Sequence, residues 1–203
     1  MFNAQILLNA YLQGIFPMAE DDGTIFWYDP DPRAIIPLDD RFHVSRSLQK
    51  TINKNQFEIK INQNFGQVMQ HCAQRERTWI SDAFFKAYGD LHTHGFAHSV
   101  EAYFAGELVG GLYGVSINGL FAGESKFSLM RDASKVALVH LVERMRRRGM
   151  TLLDTQIQND HISQFGSLEI PREEYKLMLG NALGQPLNFV DSSPILQFKG
   201  NAH

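Results

Sequence analysis

The sequence predicts an α+β fold, with antiparallel strands in one sheet and helices packed on it. Three observations carry that expectation. "AHSVEAYF", "GELVGGLYGVSI" and "GLFAGESKFSL" read as consecutive strands joined by turns containing glycine, such as "INGL". "DASKVALVHLVERMRRRG" is the longest helical pattern, with Val136, Val139, Leu141, Val142 and Met145 on its buried side and Gly149 as its stop. "TLLDTQI" then reads as a buried strand and "PREEYKLMLGNAL" as a last helix with Pro171 in its first turn.

The remaining elements follow in chain order. "AQILLNAYLQGIFPM" has apolar residues at helical spacing, with Gly14 and Pro17 as stop signals. "AEDDGTIFWYDPDPRAIIPLDD" is rich in Pro, Asp and Gly and reads as an irregular connection with short strands. It marks a soft boundary near residue 35, between a small N-terminal lobe (1–35) and the main domain (36–203). "SRSLQKTINK" is a short helix with Ser45 as N-cap. "QFEIKIN" alternates as a strand, "FGQVMQHCAQ" is helical, and "SDAFFKAYGDLHTHG" is a helix closed by Gly95. "DHISQFG" forms a further short helix.

Composition narrows the class. The 203 residues are 44% hydrophobic and 20% charged, enough for a sizeable core in one domain or one domain with a small lobe. No run approaches a membrane span, and "MFNAQILLNAYLQGIF" lacks the basic and small-residue marks of a signal peptide. Cys72 is the single cysteine, so no intrachain disulfide forms and a cytoplasmic location is expected. A net charge of −3 means that any polyanion site must be a local basic patch.

Several residues could carry chemistry. Cys72 sits in an apolar helical pattern beside His71 and reads as a buried, inert thiol. His92, His94 and His98 of "HTHGFAH" lack metal-ligand spacing and fit a helix C-terminus instead. The glycines of "GGLYG" and "GLFAGES" mark either strand crossing or the close approach of a ligand. On a regular strand, Asp154 and Gln156 share one face and Leu153 and Thr155 the other. An acid and an amide there are either a hydrogen-bonded core pair or the floor of a cleft. Arg46, Lys50 and Lys54 fall on one helical face, and "RMRRRG" places Arg144, Arg146, Arg147 and Arg148 at a helix end. Either group is a solvated surface or a phosphate contact. Glu124 is the one acidic residue of a stretch in which apolar residues and glycines are common.

The blocks "AYLQGIFPM", "WYDPDPRAIIPL", "FHVSRSL", "TWI", "GFAHSVE", "LVGGLYGVSINGLFAGESKFS", "DASKVALVHLV", "LLDTQ" and "EIPREEY" run in order over nearly the whole chain. Together they resemble the motif series of bacterial leucyl/phenylalanyl-tRNA–protein transferases. The resemblance implies a GNAT-related, acetyltransferase-like lobe beside a small N-terminal lobe, and no metal or organic cofactor. It implies partners as well: an aminoacyl-tRNA charged with Leu, Phe or Met, and acceptor proteins with N-terminal Arg or Lys. The resulting peptide bond creates a degradation signal. Aminolysis of an ester needs mainly the positioning of two reactants and an unprotonated amine.

Carried over by motif, the resemblance places Asp154 and Gln156 in the catalytic relay, with Asn159 extending it. Glu124 would recognise a positive group of the donor or acceptor. Leu112, Phe121, Leu141 and Leu153 would form the apolar aminoacyl pocket. Trp79 and Met18 would lie near the terminal adenine, and Arg46, Lys50 and Lys54 would meet the tRNA backbone. Some relatives have Trp where this chain has Met18, and some carry an additional N-terminal block, so a smaller first lobe is expected. The alternatives are an acyl-CoA-dependent acyltransferase of the same fold and a non-catalytic tRNA-binding module. The first is weakened because "FSLMRDASK" stands where a Gly-rich pyrophosphate loop would precede the long helix.

Overall fold

A computed structural model of the chain describes residues 2–20, 22–74 and 80–197. Helix α1 (Ala4–Leu12) begins at Asn3, whose side chain accepts a hydrogen bond from the Ile6 amide. Gly14 ends it with φ +73°. Pro17, expected to act as a stop, lies instead inside strand β1 (Phe16–Ala19). That strand pairs on one side only, with β2 (Ile25–Tyr28), so the missing amide hydrogen is tolerated. In this hairpin Met18 stands opposite Phe26.

Strand β3 (Arg33–Ile36) follows, then α2 (Arg46–Asn53), capped by Ser45 as expected. Next come β4 (Glu58–Ile61), α3 (Phe65–Ala73) and α4 (Asp82–Thr93). The three long strands are β5 (Ala97–Phe104), β6 (Glu107–Ile117) and β7 (Leu120–Ser128). They lead into α5 (Ala133–Arg147), β8 (Leu152–Gln156) and the short α6 (Asp160–Ser163). Strand β9 (Leu168–Ile170) was not foreseen, because three residues are too few to display alternation. Helix α7 (Arg172–Leu183) completes the order.

Seven strands form one mixed sheet in the order β4-β5-β6-β7-β8-β3-β9. Among the described strands only β7 and β8 pair in parallel, joined by the crossover helix α5. The sheet is covered on both faces. Leu112, Phe121 and Leu153 pack toward α5 and α2, whereas Tyr113, Leu120, Ala122 and Leu152 pack toward α1, α3, α4 and α7. This alternation along β6, β7 and β8 gives two cores, one per face.

Two irregularities shape the middle of the sheet. Strands β7 and β8 pair only over Leu120–Ala122 and Leu152–Asp154. Beyond that, β7 continues beside β6 and β8 continues beside β3, so the two strands part and a cleft opens between them. Strand β6 carries a register shift at Gly114, where a Cβ would stand 2.3 Å from the Ala122 carbonyl oxygen. At Gly110 it would stand 2.5 Å from the Ala133 Cβ. These glycines therefore answer to neighbouring chain, so of the two readings open from the sequence the close passage of strand and helix holds at both. Gly123 does line the cleft.

Candidate active site

The cleft between the parting strands has a volume of about 270 Å³. Its apolar lining includes Leu112 of β6, Leu138 and Leu141 of α5, Leu153 of β8 and Ile162 of α6. Its polar lining includes Glu124, Gln156 and Asn159, and Met18 of the N-terminal hairpin lines it too. Thus the structure brings together Met18, Leu112, Glu124, Leu141, Leu153, Gln156 and Asn159 of the candidate residues. Phe121 is not among the lining residues. It is fully buried beneath them, with its ring 5.0 Å from that of Phe189. Trp79 lies outside the described residues. Arg46, Lys50 and Lys54 are exposed at α2 and do not line the cleft.

Asp154 is placed differently from the regular-strand expectation. Gln156 has φ +67°, and β8 slips register against β3 between Ala34 and Ile35. The left-handed turn brings Gln156 round to the side of Leu153 and Thr155, while Asp154 stays on the opposite face. Such a backbone costs a non-glycine residue about 1–2 kcal/mol. Asp154 offsets part of this, because its Oδ1 accepts the Gln156 backbone amide at 2.8 Å.

The rest of the Asp154 carboxylate is enclosed. Arg33 Nε donates to Oδ1 at 2.9 Å and Nη2 to Oδ2 at 2.6 Å, and the Tyr175 hydroxyl donates to Oδ2 at 2.9 Å. Arg33 spends a third donor on the Gly14 carbonyl at 2.8 Å. Its guanidinium lies over the rings of Phe16 and Tyr175. Burial and the Asp154 charge push the Tyr175 hydroxyl far above its ordinary pKa, so it stays a donor.

Within the protein, Glu124 is held by neutral donors. Gln156 Nε2 donates to its Oε1 at 2.8 Å, and the Tyr88 hydroxyl to Oε2 at 2.7 Å. Tyr88 shares a 2.6 Å hydrogen bond with Tyr11. Burial raises the Glu124 carboxyl to about 7, and the Asp154 charge adds to the rise. Hydrogen bonds from the two tyrosines and Gln156 pull in the other direction. Since a carboxylate only accepts, Gln156 presents its NH₂ to Glu124 and its Oε1 elsewhere. Asn159 caps α6, its side chain accepting from the His161 and Ile162 amides. His161 lines the cleft too. Burial, aided by Lys126 and Lys135, lowers its pKa to about 4.

Four partners of the candidate residues escaped the sequence reading: Arg33, Tyr175, Tyr88 and Tyr11. Arg33 left a faint signal, a charge opening the apolar run "RAII". The tyrosines left none, because a buried hydroxyl looks like core in a helical pattern. The other candidates resolve simply. Cys72 is buried. His92 bonds the Ala97 carbonyl, His94 the Asp90 carbonyl, and His98 meets Asn62, Gly95 and Ser193. Among the described residues no group of three His, Cys, Asp or Glu could hold a metal ion. Of the four arginines of "RMRRRG", Arg144 holds the Phe189 carbonyl, Arg146 those of Leu38 and Asp39, and Arg148 holds Asn188 and Asp191. Among the described residues no helix is long and apolar enough to cross a membrane.

The chain belongs to the leucyl/phenylalanyl-tRNA protein transferase family. The pattern of that family matches residues 35–180, and that of its N-terminal domain residues 1–31. Similar curated proteins carry the name leucyl/phenylalanyl-tRNA–protein transferase. The one from Herpetosiphon aurantiacus is 60% identical over 88% of this chain and 93% of its own. Those from Maricaulis maris (52% identical, over 90% of this chain and 87% of its own) and Gloeobacter violaceus (51%, over 91% and 96%) are also similar. A distant likeness to the solved structure of L-PGS from Bacillus licheniformis has a TM-score of 0.43 at 14% identity. It covers 78% of this chain and 52% of that one.

Proposed function

We propose that the protein takes Leu, Phe or Met from its charged tRNA and joins it to a free N-terminal Arg or Lys of an acceptor protein in the cytoplasm. The observation that carries this reading is the cleft itself, apolar at Leu112, Leu141 and Leu153 and polar at Glu124 and Gln156. The donor side chain lies against the apolar lining, where size selects it. A misfit of one methylene costs about 1–3 kcal/mol. The ester carbonyl then lies toward Gln156. With its Nε2 committed to Glu124, Gln156 offers Oε1 to an N–H of the attacking amine. Asp154 acts one step removed: it holds the Gln156 backbone in the turn that aims the amide. Met18, together with Trp79, meets the terminal adenosine. Arg46, Lys50 and Lys54 meet tRNA phosphates, and the duplex is read by shape and by its single-stranded end.

The test uses labelled Leu-tRNA with peptides beginning in Arg or in acetyl-Arg. Label on the free N-terminus alone supports the reading. Acetyl-CoA turnover without such transfer, or tRNA binding without any transfer, would refute it.

A further inference from the structure

Removal of a proton from the acceptor's α-ammonium precedes attack, and the cleft offers few groups to receive it. Among the described lining residues the titratable side chains are Glu124, Lys126, His161 and Tyr113. His161 is a poor base, its pKa lowered to about 4 by burial. Asp154 does not reach the cleft, and its hydrogen bonds turn toward Arg33, Tyr175 and the Gln156 backbone. Glu124 does line the cleft, and the donors from Tyr88, Tyr11 and Gln156 still leave part of its carboxylate's accepting capacity unused. Acting on it are Tyr11 from α1, Tyr88 from α4 and Asp154 from β8, the last paired with Arg33 from β3, and Tyr113 from β6 acts on the two tyrosines.

Resting on the function proposed above, we infer that Glu124 is the proton acceptor of the reaction and that Asp154 is a positioning residue. The ammonium gives one proton to the Glu124 carboxylate. The freed lone pair attacks the ester carbonyl, and the C–O bond to the ribose 3′ oxygen breaks. The nitrogen's second proton ends on that oxygen, and the Glu124 acid returns its proton to water. The groups match in proton affinity: Glu124 sits at about 7. A free α-amine sits at about 7.7–8.0. Transfer between them is therefore nearly level, as efficient acid–base catalysis requires. The Gln156 amide, bonded to Glu124 at 2.8 Å, holds the amine beside the acceptor.

The experiment follows single-turnover transfer of labelled Leu from Leu-tRNA to an N-terminal Arg peptide between pH 5.5 and 9.5. The wild type should rise through a limb near pH 7 and then level. Glu124→Gln can keep both hydrogen bonds, with its Oε1 toward Gln156 and its NH₂ toward the Tyr88 oxygen. Its limb should move to the free amine's own pKa, leaving a deficit of about tenfold below pH 7 that closes above pH 9. A deficit constant across the range would overturn the inference, since weaker binding or packing has no such pH dependence. Tyr88→Phe keeps the carboxylate but removes a donor to it, so its limb should move above that of the wild type. An unmoved limb there would overturn the inference even if Glu124→Gln does not fold. Absence of transfer by the wild type at every pH would instead refute the proposed function.

Discussion

Arg33 and Asp154 form a two-point ion pair, each side chain 1% exposed, between the strand next to the sheet edge and the strand that carries Gln156. The Arg33 guanidinium balances the Asp154 charge, and Asp154 Oδ1 also accepts the backbone amide of Gln156 at the left-handed turn.

Removing one partner strands the other's charge in the core. Arg33→Met should lower the unfolding free energy by about 3–5 kcal/mol. The double change Arg33→Met with Asp154→Leu should recover much of that loss. Urea denaturation of both variants measures it, and a double variant no more stable than the single one would contradict the account.

Asp154→Asn keeps the size and one acceptor while dropping the ionic bond. The expected result is a fall in kcat of about 100-fold with little change in KM for Leu-tRNA, the signature of impaired transition-state alignment. Steady-state kinetics at saturating acceptor gives the split. A rise in KM alone would place Asp154 in donor binding instead.

Glu124 also links folding to pH. Its folded pKa, about 7, lies above the ordinary carboxyl value, so between the two the folded chain binds more protons than the unfolded chain. The favourable contribution is full at low pH and declines as pH rises from about 4.3 toward 7. Thermal melts at pH 5 and pH 8 should therefore show a larger loss for the wild type than for Glu124→Gln. Equal losses would mean that Glu124 titrates normally.

The exposed face of Arg46, Lys50 and Lys54 predicts a salt effect. Replacing Arg46 and Lys50 with Ala should weaken tRNA binding and flatten the plot of log K against log salt. The slope should change by about 0.7–0.9 for each phosphate that is no longer neutralised. Filter binding across a salt series reads the slope, and an unchanged slope would make the face a solvated surface only.

Much of the fold was legible in the chain. Helix limits at Ser45 and Gly95, the crossover helix and the strands around Glu124 followed from caps, glycines and period. The seating of Glu124 and Gln156 in one cleft followed from the motif resemblance. What was not legible depends on chain paths far apart in sequence. Asp154 was expected beside Gln156 because strand periodicity assumes regular backbone, and the left-handed Gln156 breaks it. Tyr11 and Tyr88 reach Glu124 from two separate helices, and Arg33 reaches Asp154 across 121 residues. No local pattern encodes such meetings.

The glycines of β6 bear on a different question, how the sheet finds its alignment. Ten of the eleven β6 residues are buried, so apolar alternation cannot tell one register from the next. Gly110 and Gly114 can. Each occupies a place where any side chain would strike Ala133, or Phe121 and the Ala122 carbonyl. A slip by one residue would bring Val109 or Gly111 to the first place and Tyr113 or Val115 to the second. The two glycines act as notches in a key. They admit one alignment of β6 on its neighbours, and with it one placement of Leu112 in the wall of the cleft.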